Sequence, residues 1–188
     1  MRLSLLLLGS LLLVSIAGSA TAEDLSVGIG PTGTIFVVDA NPQLGPGVGG
    51  HIYLDYRWSP QVATQFSFFV TTQDGEGVSN GDNDILLFAL PTVDFKYYPL
   101  SSPGKWDPYG LLGIGLFLTS EGSTGNGTTA FGIGANAGIG VDYLMTERLS
   151  LSFSSVFRSV GMINAPKGQN NGTAIFPFTL TGSIAYHF

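Results

Sequence analysis

The feature that most constrains this chain is an alternation of apolar and small or polar residues at every second position. It is clearest where Phe131, Ile133 and Ala135 alternate with glycines and Asn136. Successive side chains of a β-strand point to opposite faces, so a strand crossing a membrane shows one lipid-facing parity and one lumen-facing parity. The pattern recurs in eight segments, an even number, and predicts an all-β fold: an eight-stranded antiparallel up-and-down transmembrane β-barrel. The segments are 25–38, 47–58, 62–72, 84–98, 109–119, 131–143, 149–159 and 174–188.

Composition agrees with a membrane location for these segments. Charged residues make up 11% of the chain and the mean hydropathy is +0.33, whereas a soluble domain carries about 25% charged residues. After residue 16 no apolar run is long enough for a membrane helix. The chain contains 0 cysteines, which excludes disulfides and thiolate metal sites.

The first 22 residues are typical of a secretory signal peptide. Arg2 precedes an apolar stretch from Leu3 to Ile16, and a run of small residues ends at Ala22. The alternative, a transmembrane anchor, would need about 20 apolar residues, more than this stretch supplies. We therefore expect a signal peptide at 1–22, with cleavage after Ala22, and one barrel domain at 23–188.

Loop lengths predict which end of the barrel faces the periplasm. The connections at 59–61 and 145–148 are short, whereas those at 39–46, 73–83, 120–129 and 161–173 are longer and polar. Outer-membrane barrels have short periplasmic turns and long extracellular loops, so the longer segments are predicted to be extracellular. The connection at 100–107 is longer than a typical periplasmic turn.

The predicted periplasmic strand ends also carry aromatic residues, as expected for an aromatic belt at the membrane interface. They are Tyr56, Trp58, Tyr97, Trp106, Tyr109, Tyr143 and Tyr186.

Three prolines interrupt predicted strands, at Pro31, Pro91 and Pro177. A proline cannot donate a ladder hydrogen bond, so each implies a bulge or a missing bond. A bulge at Pro91 would also exchange the inward and outward parity of residues 85–90.

Three short motifs resemble known barrels. They are Ala185-Tyr186-His187-Phe188, Lys96-Tyr97-Tyr98-Pro99 and Trp106-Asp107-Pro108-Tyr109-Gly110. Together they are similar to the OmpA-like and OmpW-like eight-stranded outer-membrane families, here expected without a periplasmic domain. The resemblance implies a bacterial outer-membrane location and contact with lipid and lipopolysaccharide. It also implies that Tyr186 and Phe188 form the signal read by the barrel-assembly machinery.

Other motifs do not point to catalysis or cofactors. The glycines of 28–33 match a dinucleotide fingerprint, but a strand follows them where that chemistry needs a helix. The acidic segment 74–84 lacks the spacing of an EF-hand. His51 maps to the upper part of the second segment and His187 to the periplasmic end of the eighth, so they cannot share a site. We expect no enzyme activity, cofactor, metal or nucleic acid partner, and a monomer; a lipid A-modifying enzyme is the remote alternative.

The lumen-facing parity contains the candidate site. Charges in a narrow interior are costly unless paired, so the charges near the periplasmic strand ends are predicted to form a salt-bridged plug. Above the level of this plug the inward parity includes a group of apolar residues, which indicates a pocket open to the outside and blocked below, resembling the OmpW arrangement for small hydrophobic molecules. The predicted plug is Asp55, Arg57, Asp94, Lys96 and Asp142, and the predicted apolar lumen is Phe69, Leu86, Phe88, Leu90, Phe117 and Ile175.

Two functions remain open from the sequence. The first is a non-enzymatic barrel that binds or passes small hydrophobic molecules. The second is a structural or surface-interaction barrel with a filled lumen that acts through its extracellular loops, because an eight-stranded barrel is about wide enough for side chains to fill.

Overall fold

The eight predicted strands form a closed barrel. The computed structural model describes residues 25–37, 44–75, 84–100, 104–121, 129–163 and 174–188. Each strand pairs antiparallel with the next one in sequence, and the eighth pairs with the first, so the described sheet closes on itself. The predicted fold class is therefore confirmed. The strands are β1 (Leu25–Phe36), β2 (Leu44–Ser59), β3 (Val62–Gly75), β4 (Asp84–Tyr97), β5 (Trp106–Glu121), β6 (Thr129–Leu144), β7 (Leu149–Met162) and β8, which is split into Ala174–Ile175 and Pro177–His187.

The alternation in the sequence becomes an outer and an inner wall. Bulky side chains on one parity are exposed on the outside, for example Leu112 at 67% and Ile139 at 69%. On the other parity, Tyr109 and Leu111 point into the lumen and are each 5% exposed. Closure leaves no free strand edge, which is what a β-structure requires in lipid. Within the described residues, no helix is long and apolar enough to cross a membrane.

The two ends of the barrel differ in their connections. We call the end with the β2–β3 and β6–β7 connections the turn end; it also holds Leu25 and His187, the outer limits of the sheet. The opposite end, where β1, β3, β5 and β7 finish, is the loop end. The predicted signal peptide and most residues of the four predicted extracellular loops lie outside the described residues.

Each of the three prolines coincides with an irregularity. Next to Pro31, the β1–β8 ladder lacks pairs between Ile29 and Thr32. At Pro177 the last strand is broken after Ile175. At Pro91 the register shifts on both sides of β4, because residues 90 and 91 together lie opposite one residue of β3 and one of β5, which gives β4 one extra residue.

The bulge at Pro91 corrects part of the predicted lumen. Phe88 pairs with Val70, an exposed residue of the outer wall, and paired residues of antiparallel strands lie on the same face. The predicted inward orientation of Leu86, Phe88 and Leu90 is therefore wrong, and these side chains are on the outer wall. Leu87 and Ala89 take the inward positions and are 0% and 1% exposed.

Candidate functional site in the barrel lumen

Charged side chains meet in the lumen at the turn end. Lys96 Nζ lies 2.7 Å from Asp55 Oδ2 and 3.6 Å from Asp142 Oδ2. Arg57 donates to Asp107 Oδ2 at 2.8 Å and to the Pro60 carbonyl oxygen at 2.5 Å. We call these five side chains the turn-end charge network: Asp55, Arg57, Lys96, Asp107 and Asp142.

Asp107 was missed by the sequence analysis, which ended the β4–β5 connection at this residue. In the structure β5 begins at Trp106, one residue before Asp107. Asp107 therefore shares the inward parity of Tyr109 and Leu111. Its side chain is 1% exposed. Extending the alternation of β5 backwards by one pair would have found it.

Three tyrosines enclose the network. Tyr98 donates to Asp142 Oδ2 at 2.9 Å, and Tyr109 Oη lies 3.3 Å from Ser152 Oγ. Tyr53 and Tyr109 each lie over a glycine directly opposite on the neighbouring strand, Gly28 and Gly140. A Cβ at Gly28 would be 2.2 Å from the Tyr53 ring, and one at Gly140 would be 2.4 Å from the Tyr109 ring. These glycines therefore provide the space in which the two rings lie.

Asp94 belongs to a different level of the lumen from the rest of the predicted plug. It accepts hydrogen bonds from Asn136 Nδ2 at 2.8 Å and from Thr92 Oγ1 at 3.0 Å, and Thr92 Oγ1 lies 2.6 Å from Ser67 Oγ. Among the described residues, Asp94 has no ion-pair partner within 4.0 Å. Asp94 and Lys96 are two positions apart on β4, a rise of about 7 Å along the strand.

A second buried cation lies at the level of Asp94. Arg158 is directly opposite Asn136 on β7 and is 4% exposed. It donates to Thr179 Oγ1, and its guanidinium carbon lies 4.7 Å from the centroid of the Phe69 ring. We call this level the polar belt: Ser67, Thr92, Asp94, Asn136, Arg158 and Thr179.

Buried apolar side chains pack together in the loop-end half of the lumen. Leu87, Phe117 and Val160 are each 0% exposed, and Phe69 contacts Phe117 edge to face with 6.3 Å between ring centroids. Of the predicted apolar lumen, Phe69, Phe117 and Ile175 lie here. We call this set the apolar layer: Phe69, Leu87, Ala89, Phe117, Ala130, Val160, Met162 and Ile175.

The two histidines are at different levels, and each is held by a neighbour. His51 Nδ1 lies 3.2 Å from the Gly30 carbonyl oxygen near the middle of the barrel. His187 Nε2 lies 2.8 Å from Ser150 Oγ at the turn end. In the described part of the chain neither histidine is in a hydrogen-bonded serine, histidine and acid arrangement, which nucleophilic hydrolysis requires.

Aromatic side chains surround the outer wall at the turn end. Tyr56 contacts Trp58 at 4.6 Å between ring centroids, and Trp106 contacts Tyr143 at 4.5 Å. Tyr109 was predicted to join this belt but instead points into the lumen. At the C-terminus, Tyr186 and Phe188 pack edge to face at 5.1 Å. The Phe188 backbone N–H donates to the Leu25 carbonyl oxygen at 3.0 Å, which ties the last residue to the first strand.

Comparison with solved structures returns small outer-membrane barrels. Neisserial surface protein A covers 90% of this chain and 99% of its own, with 14% identity and a TM-score of 0.70. OprG from Pseudomonas aeruginosa covers 90% and 98%, with 16% identity and a TM-score of 0.59. Ail, the attachment invasion locus protein of Yersinia pestis, covers 88% and 99%, with 16% identity and a TM-score of 0.57. At such identities the likeness establishes the fold alone.

Sequence comparison identifies the family. No curated protein matches the chain. The family model described as the outer membrane protein beta-barrel domain matches residues 6–187, nearly the whole sequence. A closed antiparallel barrel with an apolar outer wall is the architecture of such a domain. The chain belongs to the outer membrane protein β-barrel domain family and is a bacterial outer-membrane protein.

Proposed function

We propose that this protein is a closed outer-membrane barrel that acts at the cell surface and conducts no solute. The observation that carries the proposal is the apolar layer, where three side chains from β4, β5 and β7 are 0% exposed: Leu87, Phe117 and Val160. A solute would have to displace this layer. It would then meet the polar belt and the turn-end charge network, both built from hydrogen-bonded or ion-paired groups.

Ion conductance in planar lipid bilayers tests the closed state. We expect the wild-type protein to give no more current than the protein-free bilayer. A variant combining Phe117→Ala with Arg57→Ala removes packing from two levels and serves as a positive control with raised or noisier current. Stable single-channel steps from the wild type would overturn the proposal.

The charge of the loop end favours a basic partner. The strand ends and connections there contain six acidic residues and one basic residue, a formal charge of −5; the acidic residues are Asp39, Asp74, Glu76, Asp82, Asp84 and Glu121, and the basic residue is Lys167. One solved structure of Ail is a complex with the heparin analogue sucrose octasulfate. The opposite preference is expected here, since like charges repel and long-range attraction needs complementary charge.

Binding to charged surfaces tests this preference. Barrels in nanodiscs should bind a polylysine-coated surface at low salt and not a heparin-coated one. The neutralised variant Asp39→Asn, Glu76→Gln, Asp82→Asn should lose most of the binding. Neutralising one acidic residue at the turn end, Glu147→Gln, should leave it unchanged. Equal binding by both variants would contradict a role for the loop end.

Binding of small hydrophobic molecules is the second candidate, and the composition of the apolar layer favours it. Met162 lies in that layer near the loop end, and its unbranched, flexible side chain can repack around a guest. A fluorescent naphthylamine probe distinguishes the two functions. Saturable binding that Phe117→Arg abolishes would favour the hydrophobic-ligand function over the closed barrel.

A further inference from the structure

The Lys96 ammonium group lies in a cage of three aromatic rings and two carboxylates. Its Nζ is 4.0 Å from the centroid of the Tyr109 ring, 5.4 Å from that of Tyr98 and 5.9 Å from that of Tyr53. Asp55 and Asp142 supply the carboxylate oxygens at 2.7 and 3.6 Å. The Lys96 side chain is 1% exposed, so these groups replace its water.

This donor set has the chemistry of a site for organic ammonium ions. An ammonium group within about 6 Å of an aromatic centroid is attracted by the ring quadrupole, and cages of several rings are how proteins recognise alkylated ammonium compounds. An alkali or alkaline-earth cation instead prefers a shell of six or more oxygens. The rings of Tyr53, Tyr98 and Tyr109 therefore favour an organic cation over a metal ion.

The charge balance of the network also accommodates a cation. Three carboxylates face two basic side chains in the turn-end charge network. One buried oxygen of each carboxylate, the Oδ1 atoms of Asp55, Asp107 and Asp142, accepts no hydrogen bond within the described part of the chain. The cage is thus negatively charged around Lys96, and it would become more so if that side chain were removed.

The three rings of the cage are held by contacts that do not involve Lys96. Tyr53 and Tyr109 lie over the glycines opposite them, Gly28 and Gly140. The Tyr98 hydroxyl donates to Asp142, and the Tyr98 and Tyr109 rings pack at 5.3 Å between centroids. Removing the Lys96 side chain therefore leaves three supported rings around an empty space.

We propose that the cage of Tyr53, Tyr98, Tyr109, Asp55 and Asp142 is an ammonium-binding site that Lys96 occupies from within, and that a small external alkylammonium ion binds there when Lys96 is removed. Arg57 lies beside the cage at the turn end, with its guanidinium carbon 4.0 Å from the centroid of the Tyr98 ring, and is 30% exposed. Lys96 acts as the internal competitor that keeps this site filled in the resting protein.

The variant Lys96→Ala tests the proposal, because the atoms it removes correspond to propylammonium. The protein is purified in detergent, and its thermal unfolding is followed with increasing propylammonium chloride. We expect a dose-dependent rise in Tm for Lys96→Ala, with sodium chloride and the neutral isostere 1-propanol giving none. Lys96→Met fills the space without a charge and is the matched control; it and the wild type should bind propylammonium at least about tenfold more weakly, the equivalent of ~1.4 kcal/mol.

A second substitution tests the rings. Adding Tyr109→Leu to Lys96→Ala removes the closest ring and should weaken propylammonium binding by about tenfold. If Lys96→Ala does not fold alone, its refolding yield with propylammonium is the readout, and a yield restored by the amine but not by 1-propanol supports the site. Equal binding by wild type and variant, equal effects of amine and alcohol, or no effect on stability or yield would each overturn it.

Discussion

Asn136 donates its side-chain amide to Asp94 across an intervening strand, with 2.8 Å between Nδ2 and Oδ1. The two residues are on β6 and β4, and Gly113 of β5 is the register partner of both. Because Gly113 has no side chain, the amide reaches over it. A buried carboxylate at mid-lumen is thereby given a donor that is two strands away.

Gly113→Ala should break this bond. The added Cβ would lie 2.1 Å from Asp94 Oδ1 and 2.4 Å from the Val93 carbonyl oxygen, and an unsatisfied buried polar group costs about 1–3 kcal/mol. We expect a loss of that size in the free energy of unfolding, measured by urea titration in detergent. Gly110→Ala is the control, since a Cβ there meets nothing within 4 Å. Equal stability of the two variants would contradict the bridging role of Gly113.

Arg57→Ala should destabilise the turn end by leaving Asp107 buried without its ion pair. Breaking a fully buried pair costs about 3–5 kcal/mol, but Arg57 is 30% exposed, so we expect roughly 1–3 kcal/mol. Thermal unfolding in detergent measures the loss. The control is Arg148→Ala; among the described residues, the side chain of this exposed arginine bonds only Tyr186 Oη, at 3.4 Å.

The double variant Arg57→Leu, Asp107→Leu identifies the partner. Replacing both members of an ion pair by apolar residues removes the unpaired charge, so part of the lost stability should return. If Arg57 were paired with Asp94 instead, the double variant Arg57→Leu, Asp94→Leu would recover more stability than Arg57→Leu, Asp107→Leu. That result would be inconsistent with the geometry described above.

Phe117→Ala should test whether the apolar layer is packed. Large-to-small changes at fully buried aromatic positions cost about 3–5 kcal/mol because a cavity remains. Leu112→Ala on the outer wall of the same strand should cost less, since detergent or lipid fills the space left by a side chain that is 67% exposed. The free energy of unfolding distinguishes them, and a smaller loss for Phe117→Ala than for Leu112→Ala would argue against a filled lumen.

Single introduced cysteines should show which residues before Pro91 face the lipid and which face the lumen. The natural chain has 0 cysteines, so each introduced thiol is unique. A spin label at Phe88→Cys should be accessible to lipid-soluble oxygen in bilayers, whereas one at Ala89→Cys should not, because Ala89 is 1% exposed. The reverse pattern would restore the inward orientation of Phe88.

Deletion of Phe188 should lower assembly in the outer membrane while leaving secretion intact. The deletion removes the backbone bond to Leu25 and the ring packed on Tyr186, both at the seam that closes the barrel. The amount of heat-modifiable protein in outer-membrane fractions measures assembly. Phe188→Tyr keeps an aromatic terminus and should assemble normally; equal assembly of all three forms would exclude a role for the last residue.

The sequence alone determined the number of strands, the face of most side chains and the membrane location. It could do so because side chains of a strand alternate between its two faces, so the face of a residue follows from its position along the strand. The lipid-facing positions are recognised by their apolar side chains. Asp55, Arg57, Lys96 and Asp142 were therefore predicted to point inward near one end. Pro91 was recognised as a site where the parity could change.

Tertiary structure decided which inward groups meet. Partners across the lumen depend on strand register and on the length of each side chain, and neither is encoded in the alternation. Arg57 thus pairs with Asp107 of β5, a residue that the sequence analysis left in a turn, and Asp94 bonds Asn136 over Gly113. The residues before Pro91 took the opposite face because one extra residue in a strand turns every side chain beyond it to the other face.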